Sequence, residues 1–93
     1  MSIEVSIIIP FYNKIGLLKK ALSSINKQSY TNYEVIIVND NNIIKNLSYL
    51  KKIKDRKIKI IYNKKNLGAG LSRNKGIQNA RGDYIAFLDS DDT

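Results

Sequence analysis

The apolar positions of this chain change period along its length, and each change marks an element. Val5-Ser6-Ile7-Ile8-Ile9 is a nearly unbroken β-branched run halted by Pro10, which predicts a central strand covered on both faces. Leu17, Leu18, Ala21, Leu22 and Ile25 then recur at helical spacing with Lys14, Lys19, Lys20 and Lys27 outside them. A helix is predicted over 14–28, with Asn13 as its N-cap. After turn residues 28–32, Tyr33-Glu34-Val35-Ile36-Ile37-Val38 predicts a second buried strand ending at Asn39-Asp40-Asn41-Asn42. Ile43, Leu47, Leu50 and Ile53 mark one face of a second helix. Lys57 to Tyr62 alternates lysine with isoleucine, which predicts a third strand with one wetter side near a sheet edge. A third helix is predicted over 70–80, where Ser72, Gly76 and Ala80 recur every four residues and let its backbone approach a sheet or ligand closely. Gly82 reads as its stop, and Tyr84 to Leu88 as a fourth strand, buried.

The order β-α-β-α-β-α-β, without repeat or linker, argues for an α/β fold built on a parallel sheet with right-handed crossovers. The carboxyl ends of its strands, at Pro10 and Tyr12, at Asp40 and at Asp89, would lie along one rim, where open α/β sheets bind ligands. The last of these ends is the most acidic stretch of the chain, Asp89-Ser90-Asp91-Asp92. Carboxylates crowded this closely repel one another unless a cation lies between them, and hard cations such as Mg2+ or Mn2+ prefer such oxygens. The competing reading is a turn or a helix cap.

Composition narrows the chemistry. No Cys and no His occur among the 93 residues, so a disulfide framework, a thiolate metal site and an imidazole base are all excluded. A hydrophobic share of 43% with one Pro is that of a chain with a core, not a disordered one. The net charge of +8 resides between Ile43 and Lys65, where nine basic residues meet one acid, Asp55, and the remainder is balanced. Such a segment is a solvated face, or meets an anionic membrane or a nucleic acid. Only Tyr49 and Tyr62 lie within it, too few for a base-stacking platform, so nucleic acid is not expected. With no basic leader and no apolar run of membrane-spanning length, a soluble cytoplasmic protein is expected, at most resting on the inner face of the membrane. The chain stops just past its acidic cluster and is expected to be the first part of a longer domain.

Gly68-Ala69-Gly70-Leu71-Ser72-Arg73 begins like a dinucleotide fingerprint but lacks the final small residue and does not follow the first strand. A phospho-acceptor receiver would need an acid pair where this chain has Pro10-Phe11-Tyr12. Four blocks in order fit another family: Val5 to Asn13, Tyr33 to Asp40, Asn66-Leu67-Gly68-Ala69-Gly70-Leu71-Ser72-Arg73-Asn74-Lys75-Gly76, and Gly82 to Asp92. Together they resemble the N-terminal half of family 2 glycosyltransferases of the GT-A fold, over nearly the whole chain. The resemblance implies a Rossmann-like sheet of strand order 3-2-1-4 with helices on both faces. It also implies a nucleotide-sugar donor, UDP-linked by preference, bound across the rim.

By position, Pro10 and Tyr12 match the first donor-contacting turn, Asp40 the acid that reads the base, and Arg73 the basic residue that meets the diphosphate. Asp89 and Asp91 match the Asp-x-Asp motif, Asp89 facing the ribose and Asp91 the Mn2+ or Mg2+ ion, with Asp92 in support. The implied activity is metal-assisted sugar transfer, with inversion, to a glycan or lipid-linked acceptor in cell-surface polysaccharide synthesis. The acceptor base lies beyond Thr93, so residues 1–93 alone are expected to be inactive and to self-associate through uncovered apolar surface. Where the family has Asp-Asp-Gly-Ser, this chain has Asn39-Asp40-Asn41-Asn42, with Asn41 expected in a left-handed turn and Asn42 as a cap. A basic module for nucleic acid or membrane surfaces, without catalysis, is the alternative.

Overall fold

Among the described residues four parallel strands and three helices alternate as the periodicity predicts: β1 (Ile3–Phe11), α1 (Ile15–Asn26), β2 (Tyr33–Asn39), α2 (Ile44–Lys51), β3 (Ile58–Tyr62), α3 (Gly68–Asn79) and β4 (Gly82–Phe87). The computed structural model describes residues 3–28 and 32–88. The strands form one sheet in the order β3-β2-β1-β4, all pairs parallel. Each crossover carries a helix, as parallel neighbours require.

Period-2 alternation sorts each inner strand onto two faces. Ile7, Ile9 and Phe11 of β1 and Val35 and Ile37 of β2 turn to one face, where Leu18, Ala21 and Ile25 of α1 and Leu50 of α2 cover them. Ile8, Ile36 and Val38 turn to the other, the side of α3. There Gly76 lies so close to β1 that an added Cβ would stand 2.5 Å from Ile8 Cγ2. The small residues predicted to bring α3 onto the sheet do so, with Ser72 and Gly76 both buried.

Pro10 does not halt β1, which continues through it to Phe11 in register with β2. The reason lies in the direction of the peptide groups. Asp40 N donates to Phe11 O, so the groups of Phe11 face β2, while Leu88 N donates to Ile8 O, so those of Ile8 face β4. Pro10 shares the parity of Ile8, and its missing N–H costs the β1–β2 ladder nothing.

Helix starts depart from expectation. The N-cap of α1 is Lys14 instead of Asn13, and that of α2 is Ile43, extended, instead of Asn42. Gly82 is the first residue of β4, the extended Ala80 having already ended α3. β4 also departs from the buried strand predicted for it: Tyr84 is 68% and Phe87 50% exposed. It is the outermost strand of the described sheet, and a cavity of about 250 Å3 opens between its Ala86 and Phe87 and Ser24, Ile25 and Gln28 at the end of α1.

At the amino ends of the strands a buried carboxylate joins all four. Glu34 Oε2 accepts from Ser6 Oγ at 2.6 Å and from Arg81 N at 2.6 Å, and Lys59 Nζ stands 3.1 Å from Oε1. Gly82 N in turn donates to Ser6 Oγ at 2.8 Å. Burial pushes the Glu34 pKa up, but the bonds from Ser6 and Arg81, with Lys59 beside it, outweigh that and hold it below the ordinary value.

Candidate functional site

The carboxyl ends of β1 and β2 and the start of α3 enclose a cavity of about 300 Å3, lined by Pro10, Phe11, Tyr12, Asp40, Asn66, Gly68, Ala69 and Ser72. Residues far apart in sequence meet here because parallel strands deliver their loops to one rim. Of the site residues inferred from sequence, Pro10, Tyr12 and Asp40 line this cavity together. Pro10 is buried and Tyr12 is exposed. Arg73 is on α3, one turn beyond the lining residue Ala69 and outside the lining set itself.

Asp40 does more than edge the rim. The residue is only 6% exposed, and its carboxylate organises the loop opposite. Oδ1 accepts from Leu67 N at 2.7 Å and from Asn63 Nδ2 at 2.8 Å, and Oδ2 accepts from Gly68 N at 2.8 Å. Leu67 and Gly68 are the N-cap and first residue of α3, so Asp40 serves as an N-terminal cap supplied from another strand. The turn that makes this possible needs glycine at position 68, whose φ is +88°. Among the described residues Oδ2 accepts one bond where a carboxylate oxygen can accept two, which leaves one acceptor position there.

The asparagines around Asp40 form a scaffold that the turn-like sequence did not reveal. Asn39 Nδ2 donates to Asn42 Oδ1 and Asn42 Nδ2 to Asn63 O, each at 2.8 Å. Asn63 Nδ2 also reaches Ser72 Oγ at 3.1 Å. Asn46, fully buried on α2, donates to Tyr12 O at 2.5 Å and Asn41 O at 3.0 Å, which ties the loop after β1 to the loop after β2. No residue other than glycine has positive φ among the described residues, so Asn41 is not left-handed and the turn is held by these side-chain bonds instead. Asn46 carried a signal: it lies four residues before Leu50, on the buried side of α2, where a polar residue calls for a partner.

Asp89, Asp91 and Asp92 lie outside the described residues. Among the described residues no three His, Cys, Asp or Glu side chains come together to hold a metal. In sequence the carboxylates Asp89, Asp91 and Asp92 follow β4, and all-oxygen donors of that kind suit Mg2+ or Mn2+. Leu88, the last described residue before them, donates its N–H to Ile8 O of β1. No helix among the described residues is long and apolar enough to cross a membrane.

Comparison with known proteins gives a consistent picture. Residues 6–93 match the model of the family described as glycosyl transferase family 2. An uncharacterized glycosyltransferase of Rickettsia conorii is 45% identical over 91 residues, which is 96% of this chain and 15% of that protein. The Escherichia coli protein named UDP-Glc:alpha-D-GlcNAc-diphosphoundecaprenol beta-1,3-glucosyltransferase is 38% identical over 88 residues, 95% of this chain and 35% of its own length. In fold, the chain superimposes on the mannosyltransferase of Pyrobaculum calidifontis solved with GDP-Man and Mn2+, with a TM-score of 0.82 at 22% identity over 98% of this chain and 28% of that one. This chain thus spans well under half of each.

Proposed function

The chain belongs to glycosyl transferase family 2, and from that premise we propose that it is the donor-holding part of an enzyme that moves a sugar from a UDP-sugar to an acceptor hydroxyl with inversion. One observation carries the proposal: Pro10, Tyr12, Asp40 and the glycine-rich start of α3 line a single cavity at the carboxyl ends of the strands. UDP is favoured because the open acceptor position on Asp40 Oδ2 suits a base N–H, and the name of the E. coli relative specifies a UDP-sugar.

In this proposal the Tyr12 ring walls the base side and Pro10 gives the turn a rigid floor. The N-terminus of α3 presents its positive end to the diphosphate, and Arg73, one turn further on, adds a forked cation. Asp89 and Asp91 would hold a divalent cation, which when bound offsets charge on the departing diphosphate. The proposed acceptor is a glycan or a lipid-linked sugar, and its base and pocket are placed outside residues 1–93. Those residues by themselves are then expected to show no turnover, only donor binding. Titration calorimetry of the full-length protein with UDP, with and without Mn2+, tests the proposal. Wild type should bind with a Mn2+-dependent gain, and Asp91→Asn should lose that gain with an unchanged melting temperature. Equal Mn2+-dependent affinity in Asp91→Asn would overturn the assignment.

A further inference from the structure

The basic segment is not an evenly solvated face, because the fold gathers apolar side chains into it. Ile44, the first residue of α2, is 82% exposed, and Ile43 before it is exposed as well. The outward side of α2 continues with Lys45, Ser48, Lys51 and Lys52, all exposed, while Asn46 and Leu50 face inward. An isoleucine that free of contacts, on a helix whose inner face is filled, is not held there by packing within the described residues. The hydrogen bond from Asn42 Nδ2 to Asn63 O clips the start of α2 to the loop after β3. Tyr62, which ends β3, and Lys64 and Lys65 in that loop flank Asn63 in sequence and are all exposed, as is Ile43 next to Asn42. The one acid of the segment, Asp55, lies past the far end of α2, before β3, and accepts from Lys57 N.

We propose that this patch, Ile43, Ile44 and Tyr62 ringed by Lys45, Lys64 and Lys65, is a docking surface for an anionic lipid bilayer. The chemistry fits one partner better than others. Exposed isoleucines gain nothing against a hydrated phosphate backbone but gain apolar burial at the acyl boundary, while the lysines meet lipid phosphates. Tyr62 suits the headgroup level, with an apolar ring and a polar tip. The patch is at the same rim as the cavity, and Asn66, a cavity residue, follows Lys65 directly. Docking there would set the cavity beside the membrane surface. The inference is independent of what the cavity binds.

Sedimentation of the full-length protein with sucrose-loaded vesicles tests it, using phosphatidylcholine alone and phosphatidylcholine with phosphatidylglycerol. Binding is expected only to the anionic vesicles and should weaken with salt. Each Lys→Glu change at Lys45, Lys64 or Lys65 should lower the partition coefficient at least about fivefold. Ile44→Ser leaves the charge unchanged and should lower it about tenfold through lost insertion. The same Ile44→Ser protein should keep its melting temperature, since Ile44 is so exposed among the described residues. No binding to anionic vesicles, or equal binding to neutral ones, would overturn the proposal. So would binding that Ile44→Ser leaves intact while heparin competes it away, since that pattern marks a polyanion site.

Discussion

Replacing Asp40 separates two roles that the structure combines in one carboxylate. In Asp40→Ala three donors lose their acceptor, but not equally. Gly68 N has Asn66 Oδ1 at 3.1 Å to fall back on, and Asn63 Nδ2 retains Ser72 Oγ. Among the described residues Leu67 N has no second acceptor of this kind. One partly buried donor left unsatisfied costs about 1–3 kcal/mol, and two weakened bonds add about 1 kcal/mol each, so a loss of about 3–5 kcal/mol is expected. That is a large share of the stability of a domain this size. Asp40→Asn can keep its oxygen toward Leu67 and Asn63 and turn its amide toward Gly68, which shifts to Asn66, so a loss of about 1.5–3 kcal/mol is expected. Urea denaturation measures both values, and UDP titration of the Asn variant, the better folded of the two, reads the effect on base contact. An Asp40→Ala midpoint equal to that of wild type would refute the capping role.

Glu34 makes stability depend on pH. Its folded pKa lies below the unfolded value near 4.5, so its contribution is complete above that value and is lost as pH falls through the lower folded one; a Glu34→Gln variant should lack this acid-side loss in denaturation at pH 3 to 6. Gly76→Ala would ordinarily strengthen a helix by about 1 kcal/mol, yet the contact with Ile8 should reverse the sign and destabilise by about 1–3 kcal/mol, and a raised melting temperature would contradict the close approach. Residues 1–93 alone expose Tyr84, Ile85 and Phe87 on an edge strand and should self-associate and bind an apolar dye, whereas a monodisperse sample that binds none would speak against an adhesive edge.

Much of this protein was legible along the chain because period is a local property. The β-branched runs at Val5 to Ile9 and Tyr33 to Val38, and the spacing of Leu18, Ala21 and Ile25, determine which elements form and which faces they bury. The alternation of elements, with the four motif blocks, pointed to the parallel order and to the rim where Pro10, Tyr12 and Asp40 meet. Capping and satisfaction of polar groups are not local in the same way. Asn13, Asn41 and Asn42 had the residue types of caps and left-handed turns, but Lys14 and Ile43 take the cap positions and the Asn42 amide pairs across to the loop after β3. Nothing in the sequence near Asp40 indicates that its carboxylate closes the start of a helix 27 residues later, because only the sheet brings Leu67 there. The exposure of β4 was likewise undecided by its apolar residues. A strand's composition shows what it can bury, while its place in the sheet decides what covers it.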